Sequence, residues 1–286
     1  MDTRFLESFV MVVEHGSVAE AARRLNLTAA AVTQRIRALE HEIGTVLLSR
    51  SGRTVRATEA GEAILAPART LLSGVRDLRA VATAQSFSGE LSLGAVASAL
   101  TGLLPPILAR LTRKYPLMRL TIDPGISGEL YKKVADGELD AAVIVEPQFA
   151  LPKICEWATW REEPLVMLAP RIMAKLDPHR ILQTEPFIRY DRRQWGGLLA
   201  DAYLRKVGIR PTDRYELDSL DAIAVLVDRG LGVSLVPDWA GPWPEGLSLC
   251  KISLPEPFEM RRIGLLWRRA SPRLRLVHAL IAEAAV

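Results

Sequence analysis

The chain has 286 residues, 49% of them apolar, with 37 Lys and Arg against 33 Asp and Glu, which fits two or three compact units with sizeable cores. No apolar run approaches the roughly 20 residues of a membrane-spanning helix, and the start MDTRFLESF lacks the basic and apolar regions of an export signal. Two cysteines, Cys155 and Cys250, make neither a disulfide framework nor a metal site, so a reducing cytoplasm is the expected compartment and no membrane partner is expected.

Asp2 is placed to cap a first helix running to about Glu14, with Phe5, Phe9, Val12 and Val13 facing inward and Gly16 as its stop. Ser17-Val-Ala-Glu20 reads as a capping box, in which the serine hydroxyl serves the amide three residues on and the glutamate reaches back. It opens a short alanine-rich helix to about Leu25. Asn26 tolerates the left-handed conformation of a sharp turn, and Thr28 caps a third helix. In NLTAAAVTQRIRALE the apolar residues Val32, Ile36 and Leu39, then Ile43, recur at steps of four, three and four, the stripe of one helix. The opposite face holds Ala30, Thr33, Gln34 and Arg37, with no carboxylate. Two short helices joined by a tight turn form a helix-turn-helix, whose second member enters the DNA major groove.

VLLSRSGRTVRATEAG then supplies two extended pieces, about 46–49 and 54–57, joined by Ser-Gly-Arg. This predicts a wing with Arg53 at its tip and Arg50 and Arg56 nearby, suited to phosphates or the minor groove. Between positions 23 and 56, Arg23, Arg24, Arg35, Arg37, Arg50, Arg53 and Arg56 stand against Glu40 and Glu42, and lysine is absent. Guanidinium groups suit phosphate and guanine. Capping, basic wing and carboxylate-free face together favour DNA binding over a helix-turn-helix used for packing alone.

The series FLESFVMVVEHGSVAEAARRLNLTAAAVTQRIRALEHEIGTVLLSRSGRTVRATEAG resembles, without a gap, the N-terminal domain of LysR-type transcriptional regulators; AVTQRIRALE, LLSR and ATEAG are specific to that family. The resemblance implies that positions 29, 30, 33 and 34 meet base edges and that the wing meets the backbone, with Ser17 and Thr28 among the DNA-contacting residues. Members often carry glutamine and proline or serine at the first two places, so Ala29 is a departure. Alanine can touch only a thymine methyl, whereas Gln34 can bond adenine in bidentate fashion; Gln34 and Arg37 therefore carry more of the expected readout than Ala29, Ala30 or Thr33.

From Thr58 to about Gln85 the chain is helix-compatible. Ile64, Ala68, Leu71, Val75, Leu78 and Ala82 alternate steps of four and three, the seam of a coiled coil. The resemblance implies pairing with a second subunit, in a homodimer or homotetramer; packing against the same chain is the alternative. Pro67 predicts a kink. SFSGE, residues 86–90, has the composition of a hinge, which divides the chain into a winged helix-turn-helix (1–58), a dimerisation helix (59–87) and an effector-binding domain (88–286).

Beyond Leu91, strand-like ELSLGAV, MRLTIDP, DAAVIVE, PLVMLAP, PFIRYD and RRIGLLW alternate with helical stretches. That rhythm predicts parallel-rich α/β sheets with helices on both faces, in two lobes: about 88–163 with 265–286, and 164–264. Ligands in such sheets bind where strand C-termini meet helix N-termini. The rule selects Ser98 and Thr101, then Gly125, Ser127 and Gly128, and in the other lobe Arg189, Tyr190, Asp191 and Ser219. Taken singly, each serine or threonine is more simply an N-cap. LGAVASALTGLLPPIL, ADGELDAAV and VDRGLGVSLVP resemble the family's effector domain, which implies a periplasmic-binding-protein-like (type II) fold with a small effector between lobes. Arg189, Arg192 and Arg193 could bind an acid and Asp191 an amine, so the expected effector is an amino acid or an organic acid.

No catalytic constellation emerges. Gly230-Leu-Gly232 runs from helix to strand, backward for cradling phosphate, and Gly89 is one residue too far from Ser92 for a nucleophile elbow. His15, His41, His179 and His278 lack metal-ligand spacing, and Trp157 and Trp160 read as packing. The expectation is an α/β multidomain regulator without cofactor or metal, whose partners are double-stranded DNA, a small effector, itself and RNA polymerase. A solute-binding protein or an enzyme on the two-lobed fold would leave residues 1–85 idle, and an adaptor would leave the arginine wing unexplained.

Overall fold

The structure, a computed structural model, describes residues 1–51, 54–82, 89–241, 243, 246–255 and 258–285. They belong to two compact units, Met1–Thr83 and Ala84–Val286.

In the first unit, α1 (Thr3–His15) is capped by the Asp2 carboxylate and ends at Gly16 with φ 61°. Helix α2 (Val18–Arg24) starts where Ser17 Oγ accepts from the Glu20 amide. The other half of the capping box does not form. Glu20 turns outward to Arg23 and Arg24, and those hydrogen bonds, Arg24 first, hold its carboxyl below the usual range. Asn26 takes φ 54°, and α3 (Ala29–Ile43) follows with Thr28 Oγ1 accepting from the Ala31 amide. Val32, Ile36 and Leu39 of α3 close on Leu6, Phe9, Val12, Ala21 and Ala22. Ile43 stays exposed. The wing strands β1 (Leu48–Ser51) and β2 (Thr54–Ala57) pair antiparallel, two residues further on at β1 than sequence placed it. Glu40 Oε1 accepts from the amides of Leu47 and Leu48, so this α3 carboxylate holds the wing. Helix α4 (Glu59–Ala82) continues through Pro67 as one element.

The second unit begins with β3 (Gly89–Ala95), which contains Gly89 and Glu90 of the expected hinge; they pair with Met118 and Arg119. Positions 86–88 lie outside the described residues. After β3 come α5 (Leu104–Lys114), β4 (Met118–Pro124), α6 (Ser127–Ala135), β5 (Ala141–Val145) and β6 (Cys155–Glu163). The second lobe comprises β7 (Leu165–Pro170), α7 (Pro178–Thr184), β8 (Phe187–Tyr190), α8 (Trp195–Val207), β9 (Asp213–Leu217), α9 (Leu220–Asp228), β10 (Ser234–Pro237) and β11 (Leu249–Ser253). The chain then returns through β12 (Arg261–Arg268) and ends on α10 (Leu274–Ala284).

Lobe I is a five-stranded sheet in the order β4-β3-β5-β12-β6. In lobe II, β10-β7-β11 and β8-β9 are joined by a parallel bridge from Phe187 to Val233. Both sheets are mixed rather than parallel-rich. The strand that enters each lobe across the hinge, β7 or β12, runs antiparallel to its neighbours. The return to lobe I falls at Arg261, four residues before the expected boundary, because Arg261, Arg262 and Ile263 pair with Glu163, Glu162 and Arg161. Each lobe buries its own core: Leu93, Ile144, Leu265 and Val277 in one, Met167, Phe187, Tyr203 and Leu235 in the other.

Candidate functional site

On α3, Ala29, Ala30, Gln34 and Arg37 are exposed and Thr33 is half-buried. The Thr33 hydroxyl donates to the Ala29 carbonyl at 2.8 Å. Arg35 turns inward, donating to Ser8 Oγ at 3.4 Å, so it leaves the outward face to Gln34 and Arg37. Ser17 and Thr28 spend their oxygens on helix caps. Arg56 is exposed on the wing, and the wing is tied to the α1–α2 corner by Val55 N–H donating to the Gly16 carbonyl at 2.8 Å. Arg53 and the Arg50 side chain lie outside the described residues. With Glu20, Glu40 and Glu42 engaged by Arg23 and Arg24, by the wing and by the N-terminus, the outward face of α3 carries no competing carboxylate.

The helical seam divides in two. Ala68 is 2% exposed and, with Ile64, Leu65 and Leu72, packs into the core of its own helix-turn-helix. Arg69 fastens this segment to Glu14 of α1 at 3.0 Å. Leu71 and Leu78 are exposed by 50% and 73%, and Val75 is half-buried. Of the five residues expected to pair with a second subunit, Ile64 and Ala68 are therefore committed to their own chain, which leaves Leu71, Val75 and Leu78.

In the second unit a cleft of about 320 Å³ lies between the lobes. It brings together five of the nine residues selected from sequence: Ser98, Gly125 and Ser127 from lobe I, Tyr190 and Ser219 from lobe II. The Ser127 hydroxyl accepts from the Val145 amide and Ser219 caps α9. Thr101 does not line the cleft; its hydroxyl turns back to the Ala97 carbonyl. Gly128 lies one residue along α6, under Trp195. Arg189 is buried in an ion cluster, with Nε and Nη2 on Asp213 at 2.8 and 2.7 Å and Nη1 on Asp201. Arg192 joins the same cluster. Asp191 accepts from the Arg193 amide and guanidinium, which holds its carboxyl below the usual range. The acid-and-amine site expected at 189–193 is thus a set of internal ion pairs.

The cleft's own charges were not singled out from sequence. Arg261, 2% exposed, pairs with Glu163, 1% exposed, through Nε at 2.6 Å and through Nη2, which also donates to Ser98 Oγ at 3.3 Å. Both residues stand where strands cross between lobes, and Glu163 accepts from the Ala240 amide on the far side. Burial pushes the Tyr190 phenol up, against the opposing field of Arg261. Gln194, Asp218, Asp221 and Trp239 complete the lobe II wall. Gln194 was within reach of the strand-end rule, since it immediately precedes α8; Arg261 and Glu163 look like ordinary strand-end charges until β12 and β6 are paired. No helix among the described residues is long and apolar enough to cross a membrane, and no three or more of their His, Cys, Asp and Glu side chains cluster as a metal site would. Burial raises both cysteine thiols.

Comparison with known proteins matches residues 3–62 to the family described as bacterial regulatory helix-turn-helix protein, lysR family, and residues 84–285 to the LysR substrate binding domain. The HTH-type transcriptional regulator AlsR of Bacillus subtilis is 30% identical over 248 residues, covering 84% of this chain and 82% of AlsR. The hydrogen peroxide-inducible genes activator of Dickeya chrysanthemi is 27% identical, covering 95% and 91%. Among solved structures, a full-length OxyR variant from Pseudomonas aeruginosa superposes with a TM-score of 0.73 at 25% identity, covering 100% of this chain and 95% of OxyR. CbnR, with a TM-score of 0.69 at 20% identity and 99% coverage of both chains, shares the fold.

Proposed function

The chain belongs to the LysR family of bacterial transcriptional regulators, and from that premise we propose that the outward face of α3 reads its operator while the inter-lobe cleft receives a small carboxylate effector, an amino acid or an organic acid. The family assignment makes it a DNA-binding regulator with an effector-binding domain, and not an enzyme. Gln34 and Arg37 supply the base contacts, Ala29, Ala30 and Thr33 permit close approach, and Arg50, Arg53 and Arg56 hold phosphates. Two copies pair through Leu71, Val75 and Leu78, in the cytoplasm, where the regulator acts on RNA polymerase. The effector's carboxylate meets Ser98 and Arg261, beside the uncapped start of α6. An effector controls DNA binding only by favouring one lobe arrangement over the other.

The observation that carries the reading is the exposed, carboxylate-free face of Gln34 and Arg37 on a helix-turn-helix whose Glu20, Glu40 and Glu42 are engaged within the unit. Fluorescence anisotropy of the full chain against its own upstream genomic region and against shuffled DNA, over a salt series, tests it. Specific sites are expected to bind about 10³-fold or more above shuffled sequence at moderate salt. No retention of either DNA at low ionic strength refutes the proposal.

A further inference from the structure

The two walls of the cleft differ in chemistry. On lobe I the nine-tenths-buried Arg261 donates to Ser98 Oγ, and α6 starts at Ser127 without a side-chain cap. Donors dominate there. On lobe II the segment entering α9 brings Asp218 and Asp221 to the cleft. Asp221 Oδ1 is enclosed and has no hydrogen-bond partner, and burial alone accounts for the upward push on its carboxyl.

No described guanidinium around this wall is available to offset it. Arg189 and Arg192 serve Asp201 and Asp213. The field of Asp218 reaches Arg193, but that group is already held by both oxygens of Asp191. Arg261 stands on the lobe I side, between Glu163 and Ser98. A purely anionic ligand would therefore face two carboxylates across the cleft from its binding group. A desolvated carboxylate without a donor calls for a cation or a strong donor.

We infer that the effector is a zwitterion, its carboxylate met by Ser98 and Arg261 of lobe I and its ammonium group received by Asp221, with Asp218, of lobe II. The inference rests on the cleft being the effector site, as proposed above. The two poles belong to different lobes, so a molecule carrying both charges ties the lobes together where an acid or an amine alone would engage one. Val96, Val145, Leu220 and Trp239 leave an apolar surface beside the charged ends, which selects an amino acid with an apolar side chain.

The test titrates the full chain with the common L-amino acids and, for the apolar ones, the matching acids without the amine: leucine against 4-methylpentanoate, valine against 3-methylbutanoate, phenylalanine against 3-phenylpropanoate. Calorimetry and the tryptophan fluorescence of the chain, to which Trp239 in the cleft contributes, read binding. At least one amino acid should bind, and its des-amino partner should bind tenfold or more weakly, the range of a charge-assisted hydrogen bond. Asp221→Asn should remove that difference by weakening the amino acid and leaving the acid unchanged or tighter. A des-amino acid that binds as well as its amino acid, a ratio unchanged in Asp221→Asn, or a panel without any binder overturns the inference. Ser98→Trp, checked for folding by circular dichroism, addresses the underlying reading: binding that survives this block places the ligand outside the cleft, whereas binding lost with no preference for the amine removes only the ammonium inference.

Discussion

Removing the charge of Glu163 should destabilise the effector unit far more than removing that of its exposed neighbour. Glu163 and Arg261 are 1% and 2% exposed. Their contact uses Nε at 2.6 Å and Nη2, with Ala240 N–H adding a third donor to the carboxylate at 3.1 Å. Glu163→Gln keeps the shape and leaves a buried guanidinium without its counter-charge, which costs about 3–5 kcal/mol. For a unit of this size that corresponds to a fall of roughly 10 °C in melting midpoint. All six tryptophans lie in the second unit, at 157, 160, 195, 239, 243 and 267, so tryptophan fluorescence of the full chain follows unfolding of that unit alone. Glu162→Gln is the control: its partner Arg262 is half exposed, and screened pairs of this kind contribute about 0–1 kcal/mol. Adding Arg261→Met to Glu163→Gln should restore most of the loss, because replacing both partners of a buried pair is close to neutral. A loss below about 1 kcal/mol in Glu163→Gln, or a double variant as unstable as the sum of its singles, refutes the assignment of this pair as a buried tie across the hinge.

Arg56→Ala should weaken binding to specific and arbitrary DNA alike and reduce the salt slope by about one, while Gln34→Ala should change which bases a randomised-site selection recovers; identical preferences would remove Gln34 from the readout. Leu78→Glu should give a sedimentation coefficient of a smaller species with the helix-turn-helix still folded, whereas Ala68→Glu should unfold the N-terminal unit, since Ala68 sits in its core; a Leu78→Glu oligomer of native size counts against the seam. In Gly102→Ala the new Cβ would lie 2.1 Å from the Ala240 carbonyl of the opposite lobe, so ligand binding in the cleft should weaken tenfold or more while DNA affinity persists, and unaltered ligand binding would refute an inter-lobe role for this approach.

The N-terminal unit was legible because its signals are local. A serine, a threonine and an asparagine each act within four residues of themselves, and the structure places Ser17 and Thr28 at helix starts and Asn26 at positive φ. The capping box failed at Glu20 because two arginines one turn on compete for the same carboxylate. The seam misled for a different reason. Steps of four and three show which face of α4 is apolar, and the same stripe serves an internal core at Ala68 and an exposed surface at Leu78. In the effector unit, β6 and β9 gave no clear signal: β9 reads DRYEL and is exposed at four of five positions, as a polar edge strand can be. The strand-end rule found serines and glycines near helix starts but attracted Arg189, whose partners Asp201 and Asp213 become visible only in three dimensions, and Asp191, which Arg193 two residues on already holds. Arg261 and Glu163 are 98 residues apart, and no local pattern joins them.

The division of the seam also makes α4 a lever. Its first half is fixed to the helix-turn-helix by Ile64, Ala68 and Leu72 and by Arg69 on Glu14, so the recognition helix moves as one body with it. From Glu59 to Val75 is about 24 Å at a rise of 1.5 Å per residue. A change of about 10° at the exposed seam would then displace the reading head by about 4 Å, more than the roughly 3.4 Å of duplex axis per base pair. A rigid lever should make a paired assembly strict about the spacing of two half-sites. In the native chain, inserting five base pairs between half-sites is expected to lower affinity tenfold or more. Arg69→Ala with Leu72→Ala loosens the attachment without touching α3, so affinity for a single half-site should hold while the spacing penalty shrinks. Should the loosened variant show the same penalty as the native chain, the coupling between seam and recognition helix does not run through these contacts.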